Sequence, residues 1–152
     1  MTNKIMPWNR ANGRHIYALI SMLIGLSKQA RREGLLALTS TLEELKSQTT
    51  NVIKKGDFDY YLFFKMAQFV VNGIDRSVLI RMARPWIANW TRKGTFMRLC
   101  CEIIYAGLLL IQEGENPRIL TFILLGIVPK KYWVSQLKDL LPKEDCKANT
   151  YK

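Results

Sequence analysis

The segment Glu113-Gly114-Glu115-Asn116-Pro117-Arg118 constrains this chain more than any other. An apolar, helix-like run ends just before it at Gln112, and a second apolar run, 119–128, follows it. A glycine can close a helix by taking a left-handed backbone angle. Asn116 can cap a following helix, with Pro117 in its first turn, where a missing N–H costs nothing. The segment therefore predicts helix, tight break, helix.

The same logic extends along the chain. Apolar residues at Ile16, Leu19, Ile20, Leu23, Leu26, Ala30, Leu35, Leu38, Leu42 and Leu45 recur at helical spacing. They predict one long helix over 14–48, with Gly34 marking a bend or close packing. A polar connection follows, then helices over 57–71, 75–92, 95–113 and 116–126, with a short last helix in 131–141. Asn72-Gly73 is a helix stop, and Pro85 predicts a kink or an early end. The aromatic cluster Phe58, Tyr60, Tyr61, Phe63 and Phe64 covers more than one helix face, so Tyr60 or Tyr61 should be partly exposed. No β pattern or internal repeat is present. The expected fold is all-α, a compact multi-helix domain of about five helices over 14–141, with an N-terminal arm (1–13) and a flexible basic tail (142–152).

Charge narrows the partners. The 152 residues hold 23 Lys+Arg against 12 Asp+Glu. Residues 1–56 carry nine basic and three acidic side chains, whereas 95–128 carry two and three. Such a field favours an acidic protein, nucleic acid or an anionic membrane surface. No apolar run approaches the roughly 20 residues that span a bilayer, so no transmembrane span is expected, and the N-terminus has no secretory pattern. Cys100, Cys101 and Cys146 form neither a metal spacing nor a disulfide framework, as for reduced thiols of a cytoplasmic protein. His15 is the single histidine, which argues against a histidine-based metal site. No phosphate-binding glycine loop or convergent catalytic set is visible, and pairing Cys100 with His15 would need a tertiary coincidence. No enzyme activity, cofactor or metal is expected.

Three stretches resemble MotA-type flagellar motor stator proteins, of the MotA/TolQ/ExbB proton channel family. The first is Ala30-Arg31-Arg32-Glu33-Gly34-Leu35-Leu36-Ala37-Leu38, like the string that opens the family's large cytoplasmic loop. The second, Phe69-Val70-Val71-Asn72-Gly73-Ile74-Asp75, is similar to the family's apolar run followed by Asp-Gly-x-Asp, with Asn72 replacing the first acid. The third is Ile104 to Ile119, containing Gly114-Glu115-Asn116-Pro117-Arg118. They follow the family's order and cover most of the chain. The family's four membrane helices have no counterpart here, so the resemblance implies a MotA-like cytoplasmic portion that does not conduct ions.

The resemblance further implies a rotor or stator component as partner. In the family, an arginine ahead of the Glu-Gly and an acid after the Ala-Leu form charge pairs with a rotor helix. Arg31 takes the arginine position, and Thr39 stands where the acid would be, with Glu43 and Glu44 one turn on. Arg31, Arg32 and Glu33, then Arg76 and Arg81, are the candidate partner-binding residues. As a charge run alone, Arg31-Arg32-Glu33 reads first as a solvated helix face, and the resemblance is what sets a rotor-facing contact level with that reading. Because the family's ring contacts lie in its membrane helices, a monomer or weak oligomer is expected, in the cytoplasm and compatible with peripheral contact at the inner membrane face. The alternative is a basic helical nucleic-acid-binding module using Trp86, Trp90, Arg81, Arg84, Arg92 and Lys93, although no groove-reading motif accompanies them.

Overall fold

The computed structural model describes residues 8–49, 58–90, 94–133 and 135–141, and among these it is all-helical. Seven α-helices follow in order: α1 (Trp8–Glu33), α2 (Leu38–Thr49), α3 (Phe58–Val71), α4 (Arg76–Trp90), α5 (Thr95–Gln112), α6 (Pro117–Ile127) and α7 (Ser135–Lys138). Short 3-10 turns cover Leu35–Ala37 and Lys130–Tyr132.

The helix count exceeds the expected five or so for two reasons. The predicted long helix over 14–48 is two helices, because Gly34 adopts φ 91° and breaks the ladder between α1 and the Leu35–Ala37 turn. A non-glycine residue pays roughly 1–2 kcal/mol in the left-handed region, so the apolar period alone could not carry the helix through a glycine settled there. The other is the short last helix expected in 131–141, which is found as α7 and counts beside the main five. At the front, α1 reaches back to Trp8, into the segment expected to be an arm. The tail over 142–152 lies outside the described residues. Helix α4 runs through Pro85 to Trp90 without the expected early end. Pro85 and Arg81, whose carbonyl loses its helical donor to the ring, are both exposed, so water can serve that carbonyl.

Two helices end by the same device. At the end of α3, the Gly73 N–H donates to Val70 O and the Ile74 N–H to Phe69 O, with Gly73 at φ 78°. At the end of α5, the Gly114 N–H donates to Ile111 O and the Glu115 N–H to Leu110 O, with Gly114 at φ 74°. Both are paired-bond stops that satisfy carbonyls left open at a helix C-terminus. The Asn116 side chain then accepts from the Arg118 N–H at 2.8 Å and caps α6, with Pro117 in the first turn.

Helix α5 is the axis of the fold and packs against α1, α3, α4 and α6. It buries Leu99, Cys100, Cys101, Ile103, Ile104, Gly107, Leu108, Leu109 and Ile111. Full burial of a Leu or Ile side chain stabilises by about 1.5–3 kcal/mol, so this helix dominates the core energetics. Helices α1 and α5 lie side by side and run in the same direction. His15 and Cys100 meet near their starts, Leu23 meets Gly107 at mid-length, and Arg31 reaches Gly114 at their ends. A Cβ on Gly107 would stand 2.7 Å from Leu23 Cδ1, so the glycine leaves room for the Leu23 side chain between the two helices.

Over its 18 residues α5 has a mean hydropathy of 1.5, long and apolar enough by length and composition to cross a membrane. That corrects the expectation that no segment meets this criterion. The apolar run alone begins at Ile103, but the helix starts at Thr95, and its Arg98 and Glu102 pair with each other at 3.1 Å. Half of the helix is buried among its neighbours in this fold.

Candidate functional site

The three stretches that suggested a family meet at one end of the molecule. From the end of α1, Arg31 Nη1 donates to the Gly114 carbonyl at 2.8 Å. From the start of α4, Arg76 forms an ion pair with Glu113. The Gln112 side-chain amide donates to Ile74 O. The corner thus joins residues from three distant parts of the sequence through side chains closing on backbone turns.

Electrostatics explains the arrangement. The C-terminal end of a helix carries partial negative charge and its N-terminal end partial positive charge. Arg31 sits at the negative end of α5, a favourable position. Glu113 at that same end and Arg76 in the first turn of α4 each sit at the wrong pole, and their ion pair offsets both mismatches. Glu115 Oε1 accepts from the Asn116 N–H at 3.0 Å, which leaves the 113–118 segment tightly self-bonded.

The predicted partner-binding residues therefore divide. Arg31 and Arg76 are exposed but commit donors to the corner. Arg32 and Glu33 are exposed and close only to 3.7 Å of each other, a weak surface pair. Arg81 is exposed on α4, five residues from Arg76 and so on a different face of that helix. The structure brings Arg31, Arg76 and Gly114 together and leaves Arg81 away from the corner contacts.

Beside the corner, a groove of about 480 Å³ runs between α2 and α3. Thr39 and Glu43 both line it, with Lys46, Tyr61, Phe64 and Lys65. Glu43 thus shares a surface with the position where the resemblance calls for an acid, and Glu44 does not line it. Tyr61 continues the surface toward α4, where its ring stands 6.0 Å from that of Trp86, both about half exposed. On α6, Ile119, Phe122 and Ile123 face outward while Leu120, Leu124 and Leu125 enter the core.

A second constellation lies at the opposite end of α1 and α5. His15 Nε2 stands 2.5 Å from Asp59 Oδ2, and the Cys100 sulfur joins them, the donor atoms all within 4.8 Å of one another. Asp59 is 3% exposed and Cys100 1% exposed, whereas about a quarter of the His15 side chain reaches the surface. The rings of Tyr60 and Phe96 flank the imidazole at 5.4 and 5.9 Å. Burial, then the Asp59 charge, then Cys101 push the Cys100 thiol far up, and burial with Asp59 and Glu102 pushes Cys101 up to about 12. A buried thiol pushed up in this way does not suit an attacking nucleophile, which works as the thiolate.

This is the tertiary coincidence that spacing could not show. A signal was nonetheless present. His15 lies four residues before Leu19, Asp59 four before Phe63 and Cys100 four before Ile104, each extending a buried stripe. A polar residue continuing a core stripe needs a buried partner.

Comparison with protein-family models, with curated proteins and with solved structures finds no match to this chain.

Proposed function

We propose that this chain is a MotA-like cytoplasmic interaction module. It acts in flagellar motor assembly or regulation through charge complementarity with a rotor or stator component, and is not itself an ion channel. The resemblance rests on the three quoted stretches. What supports the reading is that these stretches, far apart in sequence, converge on one polar corner through Arg31, Arg76, Gln112, Glu113 and Gly114. Next to that corner, Arg32, Glu33 and the Thr39–Glu43 face of the groove are exposed. The partner surface it fits carries charges of both signs, acidic opposite Arg32 and basic opposite Glu43.

Arg32 and Arg81 are the residues to reverse, because Arg31 and Arg76 also hold the corner. Against a purified rotor component, Arg32→Glu/Arg81→Glu should weaken binding by about tenfold or more and flatten its salt dependence, with melting unchanged. Unaltered affinity and salt slope in that variant would remove the charge-complementarity reading.

One observation favours a second reading. Trp86 is half exposed on α4, with Arg81 and Arg84 exposed on the same helix, the combination that stacks bases and follows phosphates. A basic nucleic-acid-binding module predicts binding to unrelated DNA or RNA with a steep loss on adding salt. Absence of such binding at low salt eliminates it.

A further inference from the structure

The His15–Asp59 pair accounts for two members of the buried cluster and leaves the third unexplained. A core cysteine needs no polar neighbour, since it packs as a small apolar side chain. Of the adjacent Cys100 and Cys101, both buried, Cys100 alone joins the imidazole and the carboxylate. The three donors come from α1, α3 and α5, helices held against one another by the main core, so their meeting is fixed by the fold.

We propose that His15, Asp59 and Cys100 form a binding site for a zinc-class divalent cation. An imidazole nitrogen, a carboxylate oxygen and a sulfur together are a donor set that suits Zn²⁺, whereas Mg²⁺ and Ca²⁺ take oxygen ligands. Around a tetrahedral zinc, with bonds of about 2.0–2.3 Å, neighbouring donors stand roughly 3.3–3.8 Å apart. Here the separations run from 2.5 Å to no more than 4.8 Å, which bracket that spacing. Occupancy requires the imidazole and carboxylate to part by about 1 Å, a movement within reach of side-chain rotation. Three protein ligands leave a fourth position, and the exposed edge of His15 gives water and the ion a way in. The site makes no use of the partner-binding reading and stands or falls apart from it.

The test uses the full chain, freed of metal by chelation and titrated with Co²⁺ as a spectroscopic stand-in. A thiolate-to-cobalt charge-transfer band should grow to a stoichiometric end point and vanish on adding Zn²⁺. Zn²⁺ near 100 times its Kd should raise the melting temperature by about 5–10 °C. Cys100→Ser should abolish the band, whereas Cys101→Ser and Cys146→Ser retain it. His15→Gln should weaken Co²⁺ binding by more than about tenfold. Should His15→Gln fail to fold by circular dichroism, the near-isosteric Cys100→Ser carries the test. Absence of both the band and the melting shift overturns the site. So does a band that survives Cys100→Ser and disappears in Cys146→Ser, which would place the metal on the tail.

Discussion

The Arg31–Arg76–Glu113–Gly114 corner and the His15–Asp59–Cys100 cluster both tie α1 to α5, one at each end of the parallel pair. They do so under opposite physical conditions. The corner is exposed and many-stranded: a guanidinium on a carbonyl, an ion pair, an amide on a carbonyl and two backbone stops. Water screens the two arginine contacts, and an exposed pair of this kind typically contributes 0–1 kcal/mol, while the Gln112 amide bond beside them is part-buried. The cluster has few members and is buried. Asp59 has lost nearly all its hydration and depends on His15 in return. Redundancy makes the corner tolerant, and burial makes the cluster intolerant.

The largest expected effect lies in the cluster. His15→Ala leaves the Asp59 carboxylate buried without its partner and should cost about 3 kcal/mol in urea unfolding. Removing both partners, as in His15→Ala/Asp59→Leu, should cost less than the two single losses added together, with an interaction energy of about 1–3 kcal/mol. Additive losses would mean that the two side chains do not depend on each other. A middle-sized effect belongs to the backbone of the corner. Gly114→Ala forces a Cβ into the left-handed region at φ 74° and should destabilise by about 1–2 kcal/mol, while Gly25→Ala, in the middle of α1, should not. Equal costs at the two glycines would show that the α5 stop is not specified by Gly114.

The smallest effect falls on the corner's side chains. Arg76→Ala should cost less than about 1 kcal/mol, and less again in high salt. A loss as large as that of His15→Ala would erase the contrast between the two regions.

The same contrast decided what the sequence could disclose. The corner is written in neighbouring residues: Gly114 stops, Asn116 caps and Pro117 starts, each by short-range geometry. The helices α3, α5 and α6 were legible for the same reason, from periodicity and punctuation. Gly34 was legible as a disturbance, but the apolar period continues across it, so the split of α1 from α2 was not. The length of α5 was legible too, since the helix expected over 95–113 is found at Thr95–Gln112, and the charges of Arg98 and Glu102 within it satisfy each other one turn apart. The cluster was the least legible feature. His15, Asp59 and Cys100 lie on three separate helices, and no spacing rule encodes how those helices stack. Likewise the sequence marked Arg31 and Arg76 as cations, and only the packing of α1 and α4 on the end of α5 shows that they also serve the fold.

The interaction reading is tested most directly by capture from the organism's own cells, with the native chain and Arg32→Glu/Arg81→Glu as baits and mass spectrometry as readout. The account predicts rotor or stator proteins on the native bait, lost from the variant, and unaffected by nuclease. Equal capture by both baits, or recovery of nucleic-acid-associated proteins alone that nuclease abolishes, would contradict it.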